Sequence, residues 1–322
     1  MIAKSNHKLL AALAFAAMIG ANAQAADNSF VTLGTMGGPI SSPERSQPSN
    51  VLLRDGKAYL VDAGDGTAQQ LAKAGIPLGK IKAVFISHLH FDHTGGLAAL
   101  LGLRYQTSVW DRLPIYGPPG TKDMVAGLIV SMQPEAASGY GLPGSKRVAP
   151  ESTVEVIELT DGSKVDVDGI HVVAAQNTHY SFAPNSLDDR KFKSLSFRFD
   201  LPERSIVYTG DTGPSPAVER LAKGADLLVS EMIDLDSTLA KIRQNGVPAT
   251  SPEYQGIMKH LSTHHLSPVQ LGELAAQAGV KRVVVTHLAP GTTDKALIEG
   301  YVRGIHSKFN GPATIANDLD RF

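Results

Sequence analysis

The segment Ser87-His88-Leu89-His90-Phe91-Asp92-His93-Thr94-Gly95-Gly96 constrains this chain more than any other. It follows directly on the apolar run 81–86, which reads as a buried strand, so four metal-capable side chains crowd six positions at that strand's C-terminal end. Imidazole and carboxylate are good zinc donors. A turn that points alternate side chains two ways gives His88 and His90 to one ion and Asp92 and His93 to a second. Gly95 and Gly96 read as the tight turn into a following helix. A fold that carries such a segment must leave a strand end open, with further ligands converging on it.

Three later positions supply those ligands. His179 follows the apolar run 172–176, Asp211 follows 206–208 and His287 follows 283–285, each where its strand runs out. Asp211 stands in Tyr208-Thr209-Gly210-Asp211-Thr212-Gly213, and a carboxylate with two oxygens can bridge two cations. The competing use of Asp211 as a helix cap is weaker, because Ser215 is better placed ahead of Pro216. The chain has no cysteine, so a metal site must be built from His, Asp and Glu, and no disulfide holds the fold. The expectation is two zinc ions per chain, with manganese or iron fitting the same donors.

Around these ligands the chain alternates strands and helices. Short β-runs at 30–33, 51–54 and 57–61 precede a helix at 67–74 and the strand 81–86. Helices at 96–103 and 121–131 flank a strand at 113–116, and residues 132–150, rich in Gly, Pro and Ser, read as a loop. Strands at 154–159, 170–176, 194–199 and 205–208 follow. Then come a helix (216–222), a strand (227–230), a helix (268–278) and a strand (282–286). The second half thus repeats the β-then-α order of the first. Two sheets packed face to face with helices outside would bury these runs, giving an α/β fold of four αββα layers.

Residues 1–26 form a different unit. Lys4, His7 and Lys8 precede an apolar run at 9–19 and the small residues Ala23-Gln24-Ala25-Ala26, the pattern of a secretory signal peptide. Cleavage after Ala25 or Ala26 would leave one hydrolase domain, 27–322, in the periplasm or outside the cell, with no membrane span in the mature chain. Among 322 residues the formal net charge is −1, and no Lys/Arg run exceeds a pair, which argues against a nucleic-acid partner.

The motif set His88-Leu89-His90-Phe91-Asp92-His93, a later His179, Thr209-Gly210-Asp211-Thr212 and a final Thr286-His287 resembles the metallo-β-lactamase superfamily over almost the whole mature chain. Leu33-Gly34-Thr35 with Gly37, Ser42 and Arg45, residues 61–67, Tyr116-Gly117-Pro118, Ser230-Glu231 and His265 ahead of a helix resemble its ribonuclease Z-like branch, which arylsulfatases and small phosphodiesterases share. The resemblance implies a zinc-activated hydroxide as nucleophile, with Asp92 both binding zinc and orienting that hydroxide. It implies that Asp211 bridges the ions. It also implies that His265 gives a proton to the leaving oxygen, with Glu231 orienting it. His260 and His264 lie in the same segment; His265 is preferred, and His264 comes next.

The short interval from His179 to Asp211, the near-neutral charge and the leader together favour a small-molecule ester, a phosphodiester or aryl sulfate ester, over nucleic acid. Arg190, Lys191 and Lys193 within that interval read as a solvated loop. The alternatives are a lactonase or other carboxyl-ester hydrolase, or a non-catalytic metal-binding protein. A zinc β-lactamase is disfavoured by the absence of cysteine and the presence of Asp211. Residues 232–263 read as a lid over the pocket, a helical surface insertion or the contact face of a homodimer. Tyr105 and Trp110 read either as lining the entrance or as core.

Overall fold

A computed structural model describes residues 28–322 apart from Ser145, so the leader and its cleavage site lie outside the described residues. The first half builds a sheet from β1 (Ser29–Gly34), β2 (Ser49–Arg54), β3 (Lys57–Ala63), β4 (Ile81–Phe85), β5 (Leu113–Gly117) and β6 (Val154–Glu158). Helices α1 (Thr67–Lys73), α2 (Phe91–Thr94), α3 (Leu97–Gln106) and α4 (Thr121–Ser138) connect these strands. The second half supplies β7 (Lys164–Val167), β8 (Ile170–Gln176), β9 (Leu195–Asp200), β10 (Ser205–Tyr208), β11 (Leu227–Ile233), β12 (Val283–Ala289) and β13 (Ala313–Ile315). Its helices are α5 (Leu187–Lys191), α6 (Pro216–Leu221), α7 (Leu235–Gln244), α8 (Pro252–His264), α9 (Pro268–Ala278) and α10 (Lys295–His306). A last strand, β14 (Asp320–Arg321), returns to pair with β1. The orders are β14-β1-β2-β3-β4-β5-β6 and β13-β12-β11-β10-β9-β8-β7.

Both sheets are mixed, and burial follows from how each strand is placed. β11 and β12 are parallel neighbours buried along their whole length, which is why Leu227–Ile233 and Val283–Ala289 read as near-continuous apolar runs. β8 alternates buried and half-buried residues, with Ile170, Val172 and Ala174 turned toward the opposing sheet. Between the sheets Phe85 meets Phe199 edge-on at 5.2 Å and Phe197 at 5.7 Å, among Leu52, Tyr59, Ile206 and Tyr208. A second core lies beneath α1, α3 and α4, and a third beneath α6, α9 and α10. The four αββα layers are therefore three cores deep, as the alternation of elements implies.

Several local expectations change. α4 runs on to Ser138 through Pro134, where the Gly, Pro and Ser content suggested a loop from 132. The Met132 and Ala136 side chains are buried on its inner face, and that packing outweighs the hydrogen bond lost at proline. Tyr105 and Trp110 belong to the helical side of the first sheet and not to the entrance. Their polar atoms are satisfied by the Val148 and Tyr105 carbonyls. Gly95 and Gly96 are helical in φ, −60° and −83°, so neither is needed for an unusual turn. Their reason is space: a Cβ on Gly96 would fall 2.1 Å from the Gly64 carbonyl oxygen. That close approach seats the His-rich segment against the turn after β3. No helix of the described residues is long and apolar enough to cross a membrane.

Candidate metal centre

The elements that carry ligands all end on one rim of the sandwich. β4 feeds directly into Ser87 and the His-rich segment, His179 lies just beyond β8, Asp211 just beyond β10, and His287 near the end of β12. A register shift between Ser230 and Glu231 sets Glu231 of β11 beside His287. His88, His93, His179, Asp211 and His287 are all essentially buried.

Their polar atoms fall into two groups that share one carboxylate. Asp211 Oδ2 lies 3.9 Å from His88 Nε2 and 3.9 Å from His179 Nε2, while His179 Nε2 is 3.1 Å from His90 Nδ1. Asp211 Oδ1 lies 3.3 Å from both His93 Nε2 and His287 Nε2, and Asp92 Oδ2 is 3.6 and 3.8 Å from those same nitrogens. Ligands on a tetrahedral zinc at about 2.0–2.1 Å stand roughly 3.3 Å apart, the scale of these separations. His88 Nε2, His93 Nε2 and Asp211 Oδ1 are buried and have no hydrogen-bond partner. An unsatisfied buried polar atom costs about 1–3 kcal/mol, so an array of them aimed at common points fits cations. The His/Asp cluster can hold metal.

The rings of His88, His93 and His179 are held by their other nitrogens. Asp62, wholly buried, accepts from the Ser87 amide through Oδ1 at 2.7 Å; its Oδ2 meets Ser87 Oγ, Tyr208 Oη and His93 Nδ1, each at 2.7 Å. This contact leaves His93 Nε2 free to face inward. Ser87 Oγ also lies 3.0 Å from His88 Nδ1, and the His264 carbonyl 3.3 Å from His179 Nδ1. In the sequence Asp62 stands only within the 61–67 segment that resembles the ribonuclease Z-like branch, with no role of its own assigned. Its φ of 58° lies in the left-handed region, which residues other than glycine seldom adopt.

The electrostatics follow from burial and from these carboxylates. Burial pushes His88 well below its ordinary value, and neighbouring His93 and His179 add to the effect. Burial opposes the charged form of His93 too, but Asp211, Asp92 and Asp62 hold it well above its ordinary value. The same contest raises His287 to about 10 through Asp211 and Asp92. Asp211 stays well below the usual carboxylate range despite burial, because His287 and His93 face it.

The three histidines of the 260–265 segment separate clearly. His265 is buried, its Nδ1 3.1 Å from Glu231 Oε2, while Glu231 Oε1 accepts from the Leu266 amide at 2.7 Å. His265 lines the cavity over the centre, and so does His260 of α8. His264 turns away, with Nε2 2.8 Å from Ser181 Oγ and Nδ1 2.8 Å from His260 Nδ1. Burial opposes ionisation of His265, but Glu231 raises it; burial lowers His260 to about 4. The cavity holds about 470 Å³, and its walls also include Met36, Ile40, Phe91, Ile242 and Ile257. Thus α7 and α8, which take up most of the segment 232–263, form one wall of the site.

Residues 57–288 match the β-lactamase superfamily domain. The ribonuclease Z of Mycobacterium avium (strain 104) is 32% identical over 298 residues, covering 90% of this chain and 96% of that protein. Among solved structures, a metallo-β-lactamase fold protein of Bacillus subtilis aligns with a TM-score of 0.64 at 18% identity, over 91% of this chain and 98% of that one. The human short-form tRNase Z aligns with a TM-score of 0.61 at 22% identity, over 91% and 98%. The likeness to ribonuclease Z overturns the expectation of a small-molecule ester substrate and no nucleic acid, since that relative carries the name of a ribonuclease. The inference from net charge failed because a charge summed over the whole surface does not report the field at one rim.

Proposed function

The chain belongs to the metallo-β-lactamase superfamily, in its ribonuclease Z-like branch, and from that membership we propose that this hydrolase is a dinuclear zinc phosphodiesterase whose substrate is RNA. The observation that carries the reading is Asp211, whose two carboxylate oxygens are divided between two groups of histidines. His88, His90 and His179 with Asp211 would hold one ion, and Asp92, His93 and His287 with Asp211 would hold the other. Paired zinc ions, when bound, supply a Lewis acid for a phosphoryl oxygen and lower the pKa of water.

The protein's own groups do the rest. Asp92 has a carboxylate oxygen available to accept a proton from the attacking water and to fix its direction. His265, with Nδ1 held by Glu231, presents its opposite ring edge to the cavity and gives a proton to the leaving oxygen. Glu231 is a positioning residue: it fixes the ring through Oε2 and the chain at Leu266 through Oε1. Its replacement by Gln should lower kcat more than it raises KM and reshape the pH profile.

The test is cleavage of a 3′-extended RNA by the zinc-loaded protein, with a chelated control and a D211A control. Cleavage by the loaded wild type alone supports the reading; a folded, zinc-loaded protein that cuts no RNA phosphodiester refutes it. The leader pattern at 1–26 supports the further proposal that residues 27–322, one domain, act in the periplasm or outside the cell. Recovery of the uncleaved chain in the cytoplasmic fraction alone would reject that placement.

A further inference from the structure

Phe91 stands between the ligand candidates His90 and Asp92, yet it is 78% exposed. A phenylalanine so placed forgoes roughly 1.5–3 kcal/mol of burial, so folding does not account for it. The ring lies back over Gly95, where a Cβ would come within 2.7 Å of Phe91 Cε1, so glycine leaves room for this orientation. Phe91 also lines the cavity beside the centre, together with the aliphatic side chains of Ile242 on α7 and Ile257 and Leu261 on α8.

We propose that this cavity is a nucleobase subsite in which the base next to the scissile phosphate, at an unpaired RNA end, stacks on Phe91 among Ile242, Ile257 and Leu261. The inference rests on the phosphodiesterase reading and deepens it. An exposed aromatic ring beside a reaction centre gives a base a stacking platform, and stacking of this kind tolerates every base because each has a π-face. Apolar walls agree with stacking recognition in preference to reading of base edges. The volume, about 470 Å³, falls in the range of a single-ligand pocket, roughly 300–1,000 Å³, and leaves no room for a duplex about 20 Å across. Lys241 lines the same cavity from α7, is exposed, and brings a positive charge that suits a neighbouring phosphate.

The experiment compares two RNA oligonucleotides, identical except that one lacks the base beside the scissile phosphate. Their KM is measured with zinc-loaded protein, and their Kd by fluorescence anisotropy with chelated protein, for wild type, F91A and F91W. Wild type should favour the base-bearing strand by roughly 5- to 150-fold, the scale of one stacked base. F91A should lose that preference to within about twofold, while F91W should keep it. A wild type without preference, or F91A that retains it, overturns the subsite. If the loaded wild type cleaves neither strand, the phosphodiesterase reading falls, and the anisotropy comparison still decides the subsite.

Discussion

Replacing Asp62 by Asn isolates the contribution of one carboxylate that touches no ion. Oδ2 receives three contacts, from Ser87 Oγ, Tyr208 Oη and His93 Nδ1, and Oδ1 receives the Ser87 amide. Asparagine has one oxygen and one NH₂, so one of these two faces must become a donor. If the NH₂ faces the Ser87 amide, two donors oppose each other in a buried place, costing about 1–3 kcal/mol of stability. If it faces the other three, the hydroxyls can turn to accept, but His93 must accept at Nδ1 and carry its proton on Nε2. That tautomer cannot bind metal. Loss of such an orienting partner lowers metal affinity by about 10- to 100-fold, or roughly 1.4–2.8 kcal/mol. Zinc titration against a competing chelator reads the second effect, and urea denaturation of the metal-free protein reads the first. D62N that matches wild type in both measurements would refute the argument.

Other consequences can be checked separately. His90→Ala and Asp211→Ala should each abolish RNA cleavage and reduce bound zinc by mass spectrometry or atomic emission; full activity in either would refute its ligand role. Gly96→Ala forces a Cβ to within 2.1 Å of the Gly64 carbonyl oxygen, so it should cost at least about 1–3 kcal/mol in chemical denaturation, and an unchanged midpoint would contradict the close approach. The Lys281 ammonium, 2.6 Å away, and the Ser205 amide hold Asp226 down to about 2. Because its folded value is depressed, Asp226 contributes stability above its ordinary range, and that contribution is lost as the pH falls through about 2. Asp226→Asn should therefore flatten the acid side of the stability curve between about pH 4 and 2, and an unchanged slope there would exclude this contribution.

What the sequence disclosed depended on how local the cause was. β4, β8 and β10 were legible because each is a short apolar run that stops just before a ligand residue, and packing between two layers requires such runs; β12 was legible from its apolar start, but it runs past His287 to Ala289, so that ligand sits inside the strand and not beyond it. α10 left a signal that was overlooked: Ile298, Tyr301, Val302 and Ile305 make a helical stripe behind Asp294, whose side chain caps the Ala296 and Leu297 amides. β7 had no comparable signal. Lys164–Val167 is half polar and becomes a strand by pairing with β8 at the sheet's edge. Asp62 and the separation of His265 from His264 depend on contacts across 25 to 146 and 34 positions of chain, and periodicity cannot report these. The same holds for α7 and α8, whose apolar residues read equally well as a lid, an insertion or a contact face until the cavity they line is seen.

In the proposed dinuclear centre, Asp211 divides its two oxygens between the two ions. Anomalous diffraction at the zinc edge from crystals of the zinc-loaded protein tests it directly. The expected map has two peaks flanking Asp211, one among His88, His90 and His179 and the other among Asp92, His93 and His287. A single peak, or density centred instead on His179, His260 and His265, would exclude a bridging Asp211.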